Sequence, residues 1–432
     1  MPNGSVSETP TLTRHIPSLD GLRAVSIGLV FVAHLLGTAG FLKLREHFDL
    51  GGVGVRIFFI ISGFLITTLL LNELDSTGRI SLRGFYRRRV LRIFPAFYAY
   101  WLTMLALALA GLLAIRGRDL AYAAFYTINY VLDRPWYLGH LWSLAVEEQF
   151  YALWPLTLFL VGRRKAFWVA GAVVLLVPFI RIAQSHYFPS HRLGIMEEFH
   201  TIADCIATGC LLAGLRGWMW EHASYRRFLT SWMFWLAPAA IFATVALNRF
   251  TLFKWLIAIP VFNFSIAICI DRWTRFAHED YFARFLNLKP VAYVGVLSYS
   301  LYLWQQPFLN RYAHYAWTTF PLNLAIAVSL ALASYYIVER PFLALRYRSS
   351  GQKRSSSPVE VLEPVAKAIP SRSPPNSTRF RCSRDVHVSK PSAVCDDAIL
   401  HVAAEMPSIV FTSRVNARLT LLPRNGTITK TT

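Results

Sequence analysis

Charge is scarce in this chain. Only 16% of its 432 residues are Asp, Glu, Lys or Arg, and 55% are hydrophobic, whereas a soluble domain carries about a quarter charged residues. The deficit excludes a water-soluble domain as the bulk of the molecule, because the apolar residues come in runs of about 20, the length that crosses a bilayer as a helix. Cysteine is scarce as well. Cys205, Cys210, Cys269, Cys382 and Cys395 follow neither a zinc-ligand nor a disulfide pattern, and Cys205 and Cys210 lie in an apolar run as small packing residues. No cleavable signal peptide is evident, since the first apolar run is too long for a signal core and lacks a small-residue cleavage site. No Gly-Asp-Ser element announces a second, hydrolase-like domain. Basic residues do dominate, at a net charge of +20, but they cluster in short segments between apolar runs. That pattern orients a membrane protein and does not call for nucleic acid.

What is there reads as an all-α polytopic integral membrane protein. Residues 1–16 form a polar cytoplasmic leader, 17–346 a transmembrane domain, and 347–432 a disordered cytoplasmic tail. The tail is rich in Pro, Ser and Arg and shows no sustained period, apart from strand-like pieces at Ile409–Thr412 and Arg418–Leu422. About ten spans are expected, at 18–40, 53–72, 94–115, 141–162, 166–185, 201–216, 230–248, 252–271, 290–310 and 320–345. Ala121–Val131 suggests an additional interfacial helix. The loops expected on one side hold Arg83, Arg87, Arg88, Arg89 and Arg92, then Arg163, Arg164 and Lys165, then Arg216, Arg226 and Arg227, then Arg272, Arg275, Arg284 and Lys289. This alternation places both termini in the cytoplasm.

Polar residues inside such spans are costly and by default mark function. Arg23 and His34 lie eleven residues apart in the first span, which is three helical turns plus about 20°, so they share a face about 16 Å apart. A packing histidine and a snorkelling arginine would satisfy the same pattern. Gly51-Gly52-Val53-Gly54 leads into Ser62-Gly63-Phe64, where glycines allow close approach of a helix or of a ligand. Arg89 and Arg92 share a helix face; they suit either positive-side anchoring or a phosphate clamp. Glu147 and Glu148 head an apolar run and point about 100° apart, so at most one readily faces a given partner. Either an interfacial or a functional carboxylate fits there.

Taken together, these pieces resemble the membrane acyltransferase 3 family, bacterial O-acyltransferases of surface polysaccharides and small molecules. The matching elements occur in the family's order: Arg23 to His34; Gly54-Val55 through Phe58-Phe59 to Ser62-Gly63-Phe64; Arg92-Ile93-Phe94-Pro95; His140-Leu141-Trp142-Ser143-Leu144 with Glu147-Glu148-Gln149-Phe150-Tyr151; Ser298-Tyr299-Ser300-Leu301-Tyr302-Leu303-Trp304; and Glu339-Arg340-Pro341. They cover residues 16–345. Gln305 stands where the family often has histidine, and an amide carries no proton at neutral pH. The family's occasional hydrolase domain is not found.

The resemblance implies transfer of an acyl group, often acetyl, from cytoplasmic acyl-CoA to a sugar hydroxyl, in the inner (plasma) membrane. It assigns His34 as base or acyl carrier, with Arg23, Glu147 and Glu148 in the catalytic set, the glutamates orienting His34 or binding acceptor. Arg88, Arg89 and Arg92 would hold donor phosphates, joined by Arg23. Asp20, Trp142, Ser143, Tyr302, Gln305 and Glu339 would bind acceptor or support the site. Acyl-CoA enters as substrate; no resident cofactor, metal or nucleic acid is expected. A transporter or lipid-linked flippase is the rival from another class, although no internal repeat is present, and an inactive homologue is a third reading.

Overall fold

The computed structural model describes residues 17–42, 49–246 and 251–348, and among them every regular element is helical. In chain order these are α1 (Pro17–Leu35), α2 (Leu50–Thr77), α3 (Leu82–Leu109), α4 (Gly117–Ala124), α5 (Trp136–Gly139), α6 (Leu141–Tyr187), α7 (Phe199–Glu221) and α8 (Ala223–Thr230). There follow α9 (Leu236–Ala246), α10 (Thr251–Phe253), α11 (Ile259–Arg275), α12 (Tyr281–Leu286), α13 (Lys289–Gln305), α14 (Leu322–Ser334) and α15 (Arg340–Arg348). One wide turn of π-helix, Lys254–Ala258, joins α10 to α11, and another, Tyr335–Glu339, joins α14 to α15. The expected leader and the tail beyond residue 348, with its strand-like pieces, lie outside the described residues.

The chain is a multi-pass helical membrane protein. Seven helical stretches among the described residues are long and apolar enough to cross a bilayer, or eight if the pair Ala223–Thr230 and Trp232–Val245, bent by 73°, makes one crossing. The sequence expects about ten because two expected spans fall in one element: α6 has 47 residues and breaks at Gly162 (φ 76°, ψ 169°), between the runs 141–162 and 166–185. The ninth expected span is α13, whose 17 residues reach about 26 Å at 1.5 Å each, slightly less than the apolar core of a bilayer. The interfacial segment expected at 121–131 is the short α4 followed by a turn at Ile128–Tyr130.

One boundary differs instructively. The basic segment Ser81–Arg92 reads from sequence as a loop, yet it is the first part of α3. Ser81 caps that helix, its Oγ accepting from the Gly84 amide at 3.2 Å, and arginine is a good helix former. Charge marks where the helix leaves the membrane, not where it begins.

Two close approaches hold the centre together. An added β-carbon on Gly63 of α2 would lie 2.0 Å from the Ile206 carbonyl oxygen, and one on Gly209 of α7 would lie 2.1 Å from the Ile60 oxygen. Neither position admits a side chain, so α2 and α7 pack backbone to backbone, as small residues permit in a bilayer. Likewise Gly295 of α13 sits against the Asp20 carbonyl, 1.8 Å from where a β-carbon would be. α1 is thereby held between α2 and α13. The packing role of Gly63 is thus borne out, whereas Gly51 and Gly52 line a cavity.

Candidate active site

α1 passes two cavities in turn. Arg23 lines a narrow chamber of about 90 Å³, and His34 lines a wide one of about 750 Å³. The separation of eleven positions keeps the two side chains about 16 Å apart along the helix. Val55 and Tyr302 line both chambers and form the partition.

The narrow chamber collects most of the charged residues singled out in the sequence. Arg23, Arg89 and Arg92 line it together with Glu147, Glu148, Ser143 and Tyr302. Arg23 pairs with Asp20 at 2.6 Å, one helical turn away. Ser62 Oγ donates to Glu147 Oε1 (2.7 Å), and the Tyr151 hydroxyl lies 3.4 Å from Glu147 Oε2. The Arg89 guanidinium lies over the Tyr151 ring, 5.4 Å from its centroid, and 5.5 Å from that of Phe85. Two aromatic rings therefore flank Arg89, while the Ser62 and Tyr151 hydroxyls hold Glu147. Both glutamates line this chamber, but they do not share a partner. α6 carries them so that Glu147 takes the hydroxyls, while Glu148 Oε1 is buried without a partner.

Arg88, expected beside Arg89 and Arg92, points elsewhere. It pairs with Glu73 at 3.0 Å, and Glu73 also accepts from the Ser81 amide at 2.9 Å. Successive helical side chains diverge by about 100°, and only 89 and 92 turn inward. Glu339 is buried at the end of the π-helical turn and accepts from Ser300 at 2.9 Å. It belongs to the supporting shell behind the chamber rather than its lining.

The wide chamber has a different character. His34, Trp136, Trp142, His140 and Tyr312 line it alongside charged groups. The Trp136 ring meets His34 edge to face at 5.4 Å, and Trp142 meets Phe59 of the narrow chamber at 5.9 Å. The Tyr302 hydroxyl donates to the His140 carbonyl (3.0 Å) and lies 2.7 Å from Ser143 Oγ, so the partition is fixed to the start of α6. His140 is buried with no well-formed hydrogen bond to either ring nitrogen.

A chain of amides sets the tautomer of His34. The Trp136 carbonyl can only accept, and Gln306 Nε2 donates to it at 3.0 Å. Gln306 Oε1 must then face Gln305, whose Nε2 donates at 3.2 Å. Gln305 Oε1 is left to face His34 Nδ1 at 2.6 Å. An amide oxygen accepts, so Nδ1 carries the hydrogen, and in the neutral ring Nε2 carries the lone pair. Trp136 Nε1 returns a bond to the Gln306 carbonyl at 2.7 Å, locking the relay. The group that orients His34 is therefore Gln305; Glu147 and Glu148, suggested for that task by sequence, line the other chamber.

Several lining groups escaped the sequence. Arg134 donates to the Val131 and Gly139 carbonyls (2.7 and 3.1 Å) and pairs with Glu197, which fixes the loop that presents Trp136. Arg116 steadies the same loop by bridging Asp119 (2.7 Å) and Asp133 (2.5 Å), and it holds the Asp133 carboxyl below the usual carboxylate range. No periodicity marks loop residues such as these. Arg56 was findable, because it is an ionisable residue inside the second span and falls under the same rule as His34.

The model of the acyltransferase-domain family matches residues 16–340. The O-acetyltransferase OatA of Staphylococcus aureus strain NCTC 8325 is 28% identical over 363 residues, which is 76% of this chain and 57% of that protein. OatA of strain MRSA252 gives the same figures. The chain thus spans little more than half the length of the curated relatives it matches. No solved structure matches.

Proposed function

The chain belongs to this acyltransferase-domain family, and from that premise we propose that it is a membrane O-acyltransferase moving an acyl group, acetyl foremost, from acyl-CoA to a hydroxyl of a cell-surface glycan. The relatives' names support acetyl as the group. The single observation that carries the reading is the arrangement on α1: three arginines surround a narrow chamber, a tautomer-fixed histidine faces a wide one, and the two share Val55 and Tyr302. Guanidinium groups bind phosphate in a bidentate fork. Arg23, Arg89 and Arg92 then hold the donor's phosphates, and the acyl arm extends through the narrow chamber to the partition.

The acceptor occupies the wide chamber, where Trp136 and Trp142 offer flat faces. His34 Nε2 takes the proton from the acceptor hydroxyl, and the oxygen attacks the acyl carbonyl. The carbon–sulfur bond breaks, and the proton on Nε2 passes to the leaving thiolate. An imidazole titrating near neutral pH suits both halves of this exchange. The protein sits in the inner (plasma) membrane with both termini in the cytoplasm, so donor arrives at the arginines from that side. Acceptor arrives from the other.

The test uses purified full chain in nanodiscs with labelled acetyl-CoA. Saturable donor binding and label release are expected. Absence of donor binding, with glycan movement across liposomes lacking donor, would overturn the reading in favour of transport.

A further inference from the structure

The wide chamber holds a cation that the transfer chemistry does not use. Arg56 of α2 is half-buried and lines this cavity. Its guanidinium lies 5.3 Å from the centroid of the Phe262 ring, and no carboxylate among the described residues pairs with it. Other arginines enclosed by this fold are matched: Arg181 with Asp204, Arg216 and Arg275 with Asp271, Arg272 with Asp280. A cation held in a membrane span without a counter-ion is costly, and such residues mark ligand paths.

The surroundings deepen the imbalance. Of the acids lining the chamber, Glu197 is taken by Arg134, and Asp49 caps α2 by accepting from the Gly52 amide at 2.8 Å. Lys254 interacts electrostatically with both Arg56 and Asp49, so the one acid at that end is shared with a second cation. The volume of about 750 Å³ falls in the range of small-molecule sites, and aromatic walls with a few polar groups are their usual lining.

We propose that the wide chamber takes a glycan unit bearing an anionic group, a carboxylate or a phosphate, with Arg56 as its recognition point. The inference rests on the acyltransferase reading for what then happens to the bound sugar. The guanidinium clamps the anion bidentately, the tryptophans cover the ring, and one hydroxyl is left facing His34.

The experiment uses the full chain in nanodiscs of zwitterionic phosphatidylcholine, so that the probe is the only anion offered. Methyl glucuronide, methyl glucoside and glucose 6-phosphate are titrated by calorimetry against wild type, Arg56→Gln and Arg56→Lys. Wild type is expected to hold at least one anionic probe tenfold or more tighter than the glucoside. Preference for the glucuronide identifies a carboxylate-bearing acceptor, and preference for the phosphate a phosphorylated one. Arg56→Gln should lose the preference, and Arg56→Lys, which keeps the charge but not the fork, should retain part of it. Equal binding of charged and neutral probes by wild type overturns the inference, as does an undiminished preference in Arg56→Gln. Acetyl-CoA binding is read separately on the same discs. Failure of the acyltransferase reading therefore shows as missing donor binding, and failure of this inference as missing charge preference.

Discussion

The two chambers share α1, α2, α6 and α13 but differ in size and in the side chains they bring together. The narrow one is crowded with charge. Three arginines and two glutamates share about 90 Å³, with Arg23 paired to Asp20, Glu147 to Ser62, and Arg89 set over the Tyr151 ring. The wide one has about eight times the space, walls of tryptophan and tyrosine, and a histidine whose tautomer is fixed from behind. Fixed charge in a tight space suits a phosphate-bearing donor that is always the same molecule. Open aromatic space suits an acceptor that is bulky and only partly enclosed. On the proposed function, binding of the donor and activation of the acceptor become separable tasks, and among the described residues Val55 and Tyr302 line both chambers.

Separability can be broken or sharpened. The harshest disruption is Gly63→Leu, because α2 lines both chambers and its backbone touches that of α7 at this point. We expect loss of the monodisperse folded species in size-exclusion chromatography and loss of both donor and glycan binding; a folded variant with normal binding would contradict the packing argument. Next, Arg89→Ala combined with Arg92→Ala should weaken acetyl-CoA binding by about 100-fold or more, since each charge-assisted contact is worth about 1.5–3 kcal/mol. Calorimetry reads this directly, and glycan binding should stay within twofold. Third, Gln305→Leu removes the acceptor for the Nδ1 hydrogen. Turnover should fall about tenfold with donor affinity unchanged, and Gln305→His, which can present a lone pair there, should lose less. Smallest of all, Arg88→Ala removes a partly exposed pair with Glu73, of a kind worth about 0–1 kcal/mol. Donor affinity should stay within twofold; a tenfold loss would move Arg88 into the donor site.

Much of this was legible in the sequence, where local periodicity suffices. The shared face of Arg23 and His34 follows from helical geometry alone, and so does that of Arg89 and Arg92, although which way the latter turns does not. The break at Gly162 falls where the basic triplet 163–165 separates two apolar runs, so the two spans were found although a single helix carries both. What could not be read depends on tertiary placement. Nothing local joins Gln305 to His34 across 271 positions, or brings Arg134 from a loop onto Glu197. The place of the glutamates was unreadable for the same reason: sequence gives their helix face, but only packing decides which chamber that face meets.

The most direct test of the division of labour places His34→Ala beside Arg89→Ala in identical nanodiscs, each measured for acetyl-CoA affinity and for labelled acetyl release. A crossed result is expected. His34→Ala binds donor within twofold of wild type and loses turnover by about 100-fold or more, the scale of a missing general base. Arg89→Ala binds donor weakly and regains much of its turnover at saturating acetyl-CoA. If His34→Ala weakened donor binding as much as it slowed release, or turned over at the wild-type rate, the two chambers would not divide the reaction as described.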